Sequence, residues 1–378
     1  MSTHSSRRTF LQAGLALPAA GLVGAGPLSA AAIPMRTLGK TGLKVAPVGF
    51  GVGFTPDPSV IARALDMGVN YYDTARVYGQ GTSERMLGAA IKEKRNQVVL
   101  ASKSSAKTKA DVLRDMDLSL QTLGTDHTDI YFLHAKDTVA AIPDEAVEGL
   151  DTVKKQGKTR FIGVSTHDPN AIVDHVLKFG RIDVVLLTYS YPMGSTRDAA
   201  IKKMQDAGIG LVAMKVVVAT AGFSMGRGGA DTPKPRLQGD APLAAVKWAL
   251  KNPAIAVTIP YMSNTDQLEM NVRAMTESYT AADDKLLYAK SEEIRPYYCR
   301  MCYECKGQCP KGMPVPDVLR FLAYNDFCGD FRQARENFKS LPGEIRNVSC
   351  NECSSCSIQC PNGVHVQDRL IRAQGLLA

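Results

Sequence analysis

The sequence predicts an α/β chain, a (β/α)8 barrel of the TIM type followed by a small, mainly helical C-terminal domain. Apolar, β-branched runs alternate with helical patterns at regular intervals through the middle of the chain. A cysteine quartet is written twice near the end, and the segment between the copies has apolar residues at helical spacing. The 378 residues, 45% hydrophobic and 22% charged, suffice for one large core and a smaller second one.

The first element is a leader. Ser6-Arg7-Arg8-Thr9-Phe10-Leu11-Gln12 precedes an apolar stretch broken by Gly14, Pro18, Gly21, Gly24, Gly26 and Pro27 and ending in Ala30-Ala31-Ala32. The pattern resembles a twin-arginine export signal, with Gln12 where lysine is commoner. It implies residues 1–32 as a cleaved signal peptide, passage through the twin-arginine translocase and a folded periplasmic protein without a stable membrane span. A retained anchor is the competing reading, and the interrupting glycines and prolines argue against it.

Residues 33–278 are the expected barrel. Strands are expected at 45–53, 71–77, 98–103, 129–134, 160–165, 184–189, 211–217 and 257–261. Helical patterns at 109–123, 144–156, 197–207 and 242–250 each stop near a Gly or Asn, as helix ends prefer. Eight strand-helix units point to a barrel with its chemistry at the C-terminal strand ends. A charged stretch at 279–295 is the expected connector and 296–378 the C-terminal domain, with helices at 315–324 and 331–338. The formal charge of +8 is scattered, which argues against nucleic acid and for a weakly basic surface suited to an acidic redox partner.

The quartets read Cys299-x2-Cys302-x2-Cys305-x3-Cys309-Pro310 and Cys350-x2-Cys353-x2-Cys356-x3-Cys360-Pro361. This spacing predicts two 4Fe-4S clusters in which the last cysteine of each run crosses to the other cluster. Cys299, Cys302, Cys305 and Cys360 would hold one, and Cys350, Cys353, Cys356 and Cys309 the other. Zinc or disulfides are the alternatives, and neither explains the third cysteine of each run with its following proline. Cys328, the ninth cysteine, reads as a small buried hydrophobe.

Four residue types stand at successive strand ends: Asp73 and Tyr78 after strand two, Lys103 at the end of strand three and His134 at the end of strand four. Together with Arg36-x-Leu38-Gly39-x-Thr41-Gly42-Leu43-x-Val45, they make residues 35–275 resemble the aldo-keto reductases. The resemblance implies an oxidoreductase that interconverts a carbonyl and an alcohol by hydride transfer, with Tyr78 as general acid/base. Lys103 is expected to lower the phenol pKa, Asp73 to hold Lys103, and His134 to donate a hydrogen bond to the substrate oxygen.

The resemblance implies a nicotinamide cofactor, NAD(P), but the cradle departs from the family pattern. Ser165-Thr166 replaces Ser-Asn, Leu186 replaces a glutamine, and Tyr261, Gln267, Met270 and Asn271 stand where cations and Glu-Asn would select NADP. Ser165, Thr166 and Asn271 are the expected contacts, with Arg227 from a glycine-rich loop at 222–239 that either folds over a pyrophosphate or stays solvated.

The cysteine region resembles the α-helical ferredoxin modules of respiratory enzymes, an appendage found in a subset of aldo-keto reductases. The full expectation is an exported iron-sulfur oxidoreductase acting on a small-molecule carbonyl or alcohol, its electrons passing to or from the clusters and a redox partner protein. Two alternatives stand beside it: an electron-transfer protein whose barrel has lost nucleotide binding, or a hydride-transfer enzyme with structural clusters.

Overall fold

The computed structural model describes residues 33–55, 57–222, 236–237 and 239–378. The expected leader and Arg227 lie outside them. Eight parallel strands run β1 Phe50–Gly51, β2 Tyr71–Asp73, β3 Val99–Ser104, β4 Thr128–Leu133, β5 Thr159–Thr166, β6 Val184–Thr188, β7 Gly210–Met214 and β8 Ile255–Thr258. Each pairs with its predecessor, β8 lying against β7, and the ring is closed by the bridges Val48 to Thr258 and Gly51 to Tyr261. The sheet is therefore the expected (β/α)8 barrel.

The helices that follow successive strands are α1 Pro58–Asp66, α2 Thr82–Ile91, α3 Lys109–Leu123, α4 Asp144–Lys155, α5 Pro169–Phe179, α6 Asp198–Asp206, α7 Ala241–Lys251 and α8 Thr265–Arg273. Their starts are written locally. Asp57, Thr108, Asp168 and Asn264 each cap a helix by accepting a backbone N–H with the side chain. Gly124 and Gly180 end α3 and α5 in the left-handed conformation that suits glycine.

Strand alternation separates two cores. On β4, Ile130 and Phe132 face the barrel interior while Tyr131 and Leu133 face the helices, a period of two. An antiparallel pair, Arg36–Thr37 with Lys44–Val45, contributes Leu38, Leu43 and Val45 to the interior core. Arg36 secures it through the carbonyls of Ile255 at 2.7 Å and Leu250 at 2.8 Å. Gly39, at φ +50°, lies so close to β7 that a Cβ there would stand 2.3 Å from the Gly210 nitrogen.

Several expected strands are shorter than their apolar runs. The 45–53 run breaks around Pro47, which has no N–H to give a ladder, and Pro260 lies beyond the end of β8. After Asp73 the chain leaves regular pairing, and that departure frees the turn carrying Tyr78.

The stretch expected as a connector is α9 Ala281–Ile294, opened by a reciprocal Thr280–Asp283 capping box. Its Leu287 joins the barrel's outer core and Asp283 meets Lys247 of α7 at 2.9 Å, so it packs as a further barrel helix. The C-terminal region consists of α10 Val315–Cys328, α11 Phe331–Lys339, a single turn α12 Gly343–Arg346 and α13 Val366–Leu377. It has its own core, including Val318, Leu322, Ala334, Phe338 and Leu370.

Ile33–Ala378 make up one compact unit in which α10 is buried on nearly every side. One face meets α11 and α13, where Asp326 is clasped by Arg369 and Arg372. Another reaches the barrel: Ala323 and Phe327 pack with Ala219, Ile294 and Tyr298. Arg197, fully buried, donates to the carbonyls of His167 and Met301 and so ties the barrel mouth to the first cysteine loop. Among the described residues no helix is long and apolar enough to cross a membrane.

Candidate active site

The C-terminal strand ends open into a cavity of about 360 Å³. Asp73, Lys103, His134 and Tyr78 all line it, so the structure brings together the four residues singled out by sequence. Asp73 ends β2, Lys103 stands next to last on β3, and His134 follows β4. Tyr78 rides the irregular turn after β2, where Gly79 and Gln80 take left-handed φ values of +55° and +54°.

Lys103 donates to the carboxylate of Asp73 and, at 2.7 Å, to the carbonyl of Thr74. Both partners are buried; burial pulls Lys103 down and pushes Asp73 up, each opposing the other's shift. The Tyr78 hydroxyl lies 3.4 Å from His134 Nε2, and the two rings meet edge to face at 5.5 Å. Lys103 Nζ sits 5.1 Å from the centre of the Tyr78 ring.

Lys103 stands beside Tyr78, and burial decides the direction of the phenol's shift. Burial, reinforced by Asp73 and Tyr324, holds the Tyr78 phenol well above its ordinary range. Lys103 is at the same time engaged by Asp73 and Thr74. Tyr78 therefore keeps its proton at neutral pH, as a donor must. His134 is held neutral, chiefly by burial and then by Lys103 and His167, and can offer one ring N–H.

Of the expected nucleotide contacts, Ser165 lines the cavity and accepts the Ala135 N–H at 2.8 Å. Thr166 is instead drawn to Asp137, to which it donates at 3.2 Å, and it accepts the Asp168 N–H. It does not line the cavity, and a neighbouring carboxylate engages its hydroxyl. Asn271, like Thr166, does not line the cavity; it is buried, and its Oδ1 has no hydrogen-bond partner among the described residues. Leu186 presents an apolar surface to the cavity where the family carries a glutamine.

Sequence reasoning missed the roof. Lys215 follows β7 at φ +60°, His167 follows β5, and Arg320, Tyr324, Phe327 and Cys328 descend from α10. No strand-end rule reaches these last four, because which face of a distant helix docks on a barrel is not written in local spacing. His167 and Lys215 were findable, as polar residues just beyond strand ends.

Residues 58–242 match the aldo/keto reductase family. L-galactose dehydrogenase of Arabidopsis thaliana is 29% identical over 301 residues, 69% of this chain and 94% of that protein. The chain is an oxidoreductase of the aldo-keto reductase type. A 6-dehydroglucose reductase of Novosphingobium aromaticivorans is 34% identical over 168 residues, 38% of this chain, and that match spans 55% of the relative's length. The holo form of an aldo-keto reductase from Bacillus halodurans superposes with a TM-score of 0.57 at 24% identity, covering 68% of this chain and 96% of that one. A Klebsiella pneumoniae aldo-keto reductase in complex with NADPH gives 0.56 at 21% identity, over 67% of this chain and 94% of its own. These structural likenesses concern the barrel fold.

In this oxidoreductase none of the nine cysteines is paired in a disulfide. Cys299 is pushed up to about 12, by burial and then by the neighbouring Cys305, Cys302 and Cys360. Cys350 is raised by burial and by Cys353, Cys309 and Cys356. Asn362, beyond the second run, donates to Cys302 Sγ at 3.3 Å, and the Met301 N–H donates to Cys299 Sγ at 3.4 Å. Met301 and Tyr303 hold φ values of +52° and +64°, strained for residues with side chains. Among the described residues no three His, Cys, Asp or Glu side chains gather tightly enough for a single metal ion. Cys328 is half-buried, packed against the C-terminal core and lining the cavity wall.

Proposed function

We propose that this aldo-keto reductase reduces a small-molecule carbonyl to an alcohol, with Tyr78 as proton donor. The observation that carries the reading is the Tyr78 hydroxyl 3.4 Å from His134 Nε2, beside the buried Lys103–Asp73 pair. Substrate enters with its carbonyl oxygen between Tyr78 and His134. The neutral imidazole donates one hydrogen bond, and Tyr78 releases its proton to that oxygen as charge develops there. Lys103, fixed by Asp73, places a positive charge near the phenolate that remains. Two relatives are named for galactose and dehydroglucose, and a polyhydroxy carbonyl is the substrate class proposed.

A nicotinamide nucleotide, when bound, supplies the hydride. The unpartnered Oδ1 of Asn271 suits an amino donor of that nucleotide, and Ser165 is placed to meet its amide. Solved relatives with the same barrel carry NADPH or NADP. The apolar Leu186 and the diverted Thr166 favour a second reading, in which the barrel no longer binds nucleotide and the chain serves electron transfer.

The C-terminal region is proposed to hold two 4Fe-4S clusters and to be a ferredoxin-type domain. Support comes from the two electrostatic groups, Cys299, Cys302, Cys305, Cys360 and Cys350, Cys353, Cys356, Cys309, which match the expected crossover. A cube keeps its ligand sulfurs farther apart than one ion would. Left-handed residues and N–H to sulfur bonds also suit a loop wrapped around a bulky group. The clusters add one-electron capacity for exchange with a redox partner.

Export through the twin-arginine pathway to the periplasm rests on Arg7 and Arg8. Arg7→Lys with Arg8→Lys should leave folded protein in the cytoplasmic fraction; undiminished export would sink that part. The activity is tested by benzaldehyde-dependent oxidation of NADH and NADPH with wild type and Tyr78→Phe. Turnover by wild type alone supports the reading, and equal turnover by the variant refutes Tyr78's role. Mass spectrometry of nucleotide released from purified protein separates the first reading from the second.

A further inference from the structure

The cavity holds a second tyrosine. Tyr324 descends from α10 into the space that Tyr78 lines from below, and its hydroxyl lies 3.5 Å from His167 Nε2. His167 Nδ1 stands 3.0 Å from Asp137 Oδ2, and a carboxylate can only accept, so Nδ1 carries the imidazole proton. Nε2 is then the acceptor for the Tyr324 O–H. Asp137, His167 and Tyr324 form a continuous hydrogen-bonded line ending in the cavity, the arrangement by which a carboxylate orients an imidazole that handles a proton for a hydroxyl.

Two cations face this phenol. Arg320 Nη1 lies 3.2 Å from its oxygen, and Lys215 Nζ sits 4.2 Å from the ring centre. Lys215 forms no ion pair among the described residues, whereas Arg320 is matched by Asp317 at 2.7 Å and Asp137 at 3.5 Å. The Arg320 Nε–H is a buried donor without a partner among the described residues. Tyr298 and Tyr78 complete the titratable groups near the hydroxyl. On the far side of α10, Asp326 is neutralised by Arg369 and Arg372.

We propose that Tyr324 is a second proton-transfer residue, a base that removes a proton from the carbon beside a substrate carbonyl while Tyr78 protonates the carbonyl oxygen. The two phenols are driven in opposite directions. Burial would raise Tyr324, but Lys215 and Arg320 outweigh it and bring it below the ordinary tyrosine range, whereas Tyr78 is held above. A pair of groups in one site with pKa values pushed apart marks an acid and a base.

The step is a nicotinamide-independent enolisation of an α-hydroxy carbonyl compound. Tyr324 first gives up its own proton to solvent through His167; the α C–H bond then breaks, its proton goes to the Tyr324 phenolate oxygen, and its electron pair becomes the C=C bond. The carbonyl π pair takes the Tyr78 proton to complete the enediol. Reversal returns each proton, and while Tyr324 holds the abstracted one it exchanges with solvent through His167. Nothing is oxidised overall.

This rests on the reading of Tyr78 as acid, and the test keeps the two apart. Hydroxyacetone is incubated in deuterium oxide with the full-length protein and no added nucleotide, and α-deuterium incorporation is followed by proton NMR. Wild type should exchange above the buffer rate, and Tyr324→Phe should lose about a hundredfold. Lys215→Met should move the half-maximal point of the exchange rate to higher pH, a readout that a packing role would not move. Absent exchange in wild type, equal exchange in a folded Tyr324→Phe, or an unshifted profile in Lys215→Met overturns the proposal. Failure to oxidise NADH or NADPH with either benzaldehyde or glyceraldehyde, with exchange intact, would overturn the reductase reading alone.

Discussion

Tyr78 and His134 were legible because barrel chemistry gathers at strand ends and four suitable residue types stood there in succession. What the sequence could not supply was the balance of charges. Lys103 pairs with Asp73 as expected, whereas its bond to the Thr74 carbonyl and the burial that raises Tyr78 depend on the closed site. Tyr78→Phe should lower kcat/KM for a carbonyl substrate by about a hundredfold or more, read from nucleotide oxidation, with the melting temperature little changed. His167, like His134, is a buried histidine that resists protonation. Burial and Arg320 hold it down to about 4 against an ordinary 6.5, so between those values the unfolded chain binds a proton that the folded one refuses. Stability should therefore fall by roughly 3 kcal/mol as pH drops from 6.5 to 4, at 1.36 kcal/mol per unit. Denaturant midpoints measured across that range check it, and His167→Gln should flatten the slope.

At the scale of elements, the helices announced themselves better than the strands. Lys109–Leu123 is bounded by Thr108 and Gly124, residues whose side chain and conformational freedom act locally, and its expected limits match. Strand limits depend on a neighbour's pairing, and Pro47 cut short a run whose apolar pattern alone suggested continuity. The stretch after 278 reads as a charged connector until Leu287 and Asp283 meet the barrel. Arg197 carries the junction between elements. It is fully buried, pairs with Asp168 at 3.5 Å and holds the Met301 carbonyl. Arg197→Met would strand Asp168 and should cost about 3 kcal/mol, seen as a lower melting temperature and faster proteolysis at the first cysteine loop.

For the whole molecule, the cavity belongs to two cores at once. The barrel provides Asp73, Tyr78, Lys103 and His134, and α10 of the cysteine-bearing region closes over them with Arg320, Tyr324 and Phe327. The quartets suggest the proposed clusters by their spacing, but nothing in that spacing says that the helix between them roofs the cavity. That fact depends on long-range docking of Phe327 against Tyr298 and the loop after β7. If the clusters brace α10, replacing Cys302 by serine should raise KM for the carbonyl several-fold more than it lowers kcat, because the roof rather than the tetrad is loosened. The account as a whole joins that reductive cavity to an iron-sulfur domain. Its most direct test is the iron and acid-labile sulfide content of protein purified without oxygen. About eight irons and eight sulfides per chain are expected. A colourless preparation lacking sulfide, yet folded with the α10 roof in place, would contradict it.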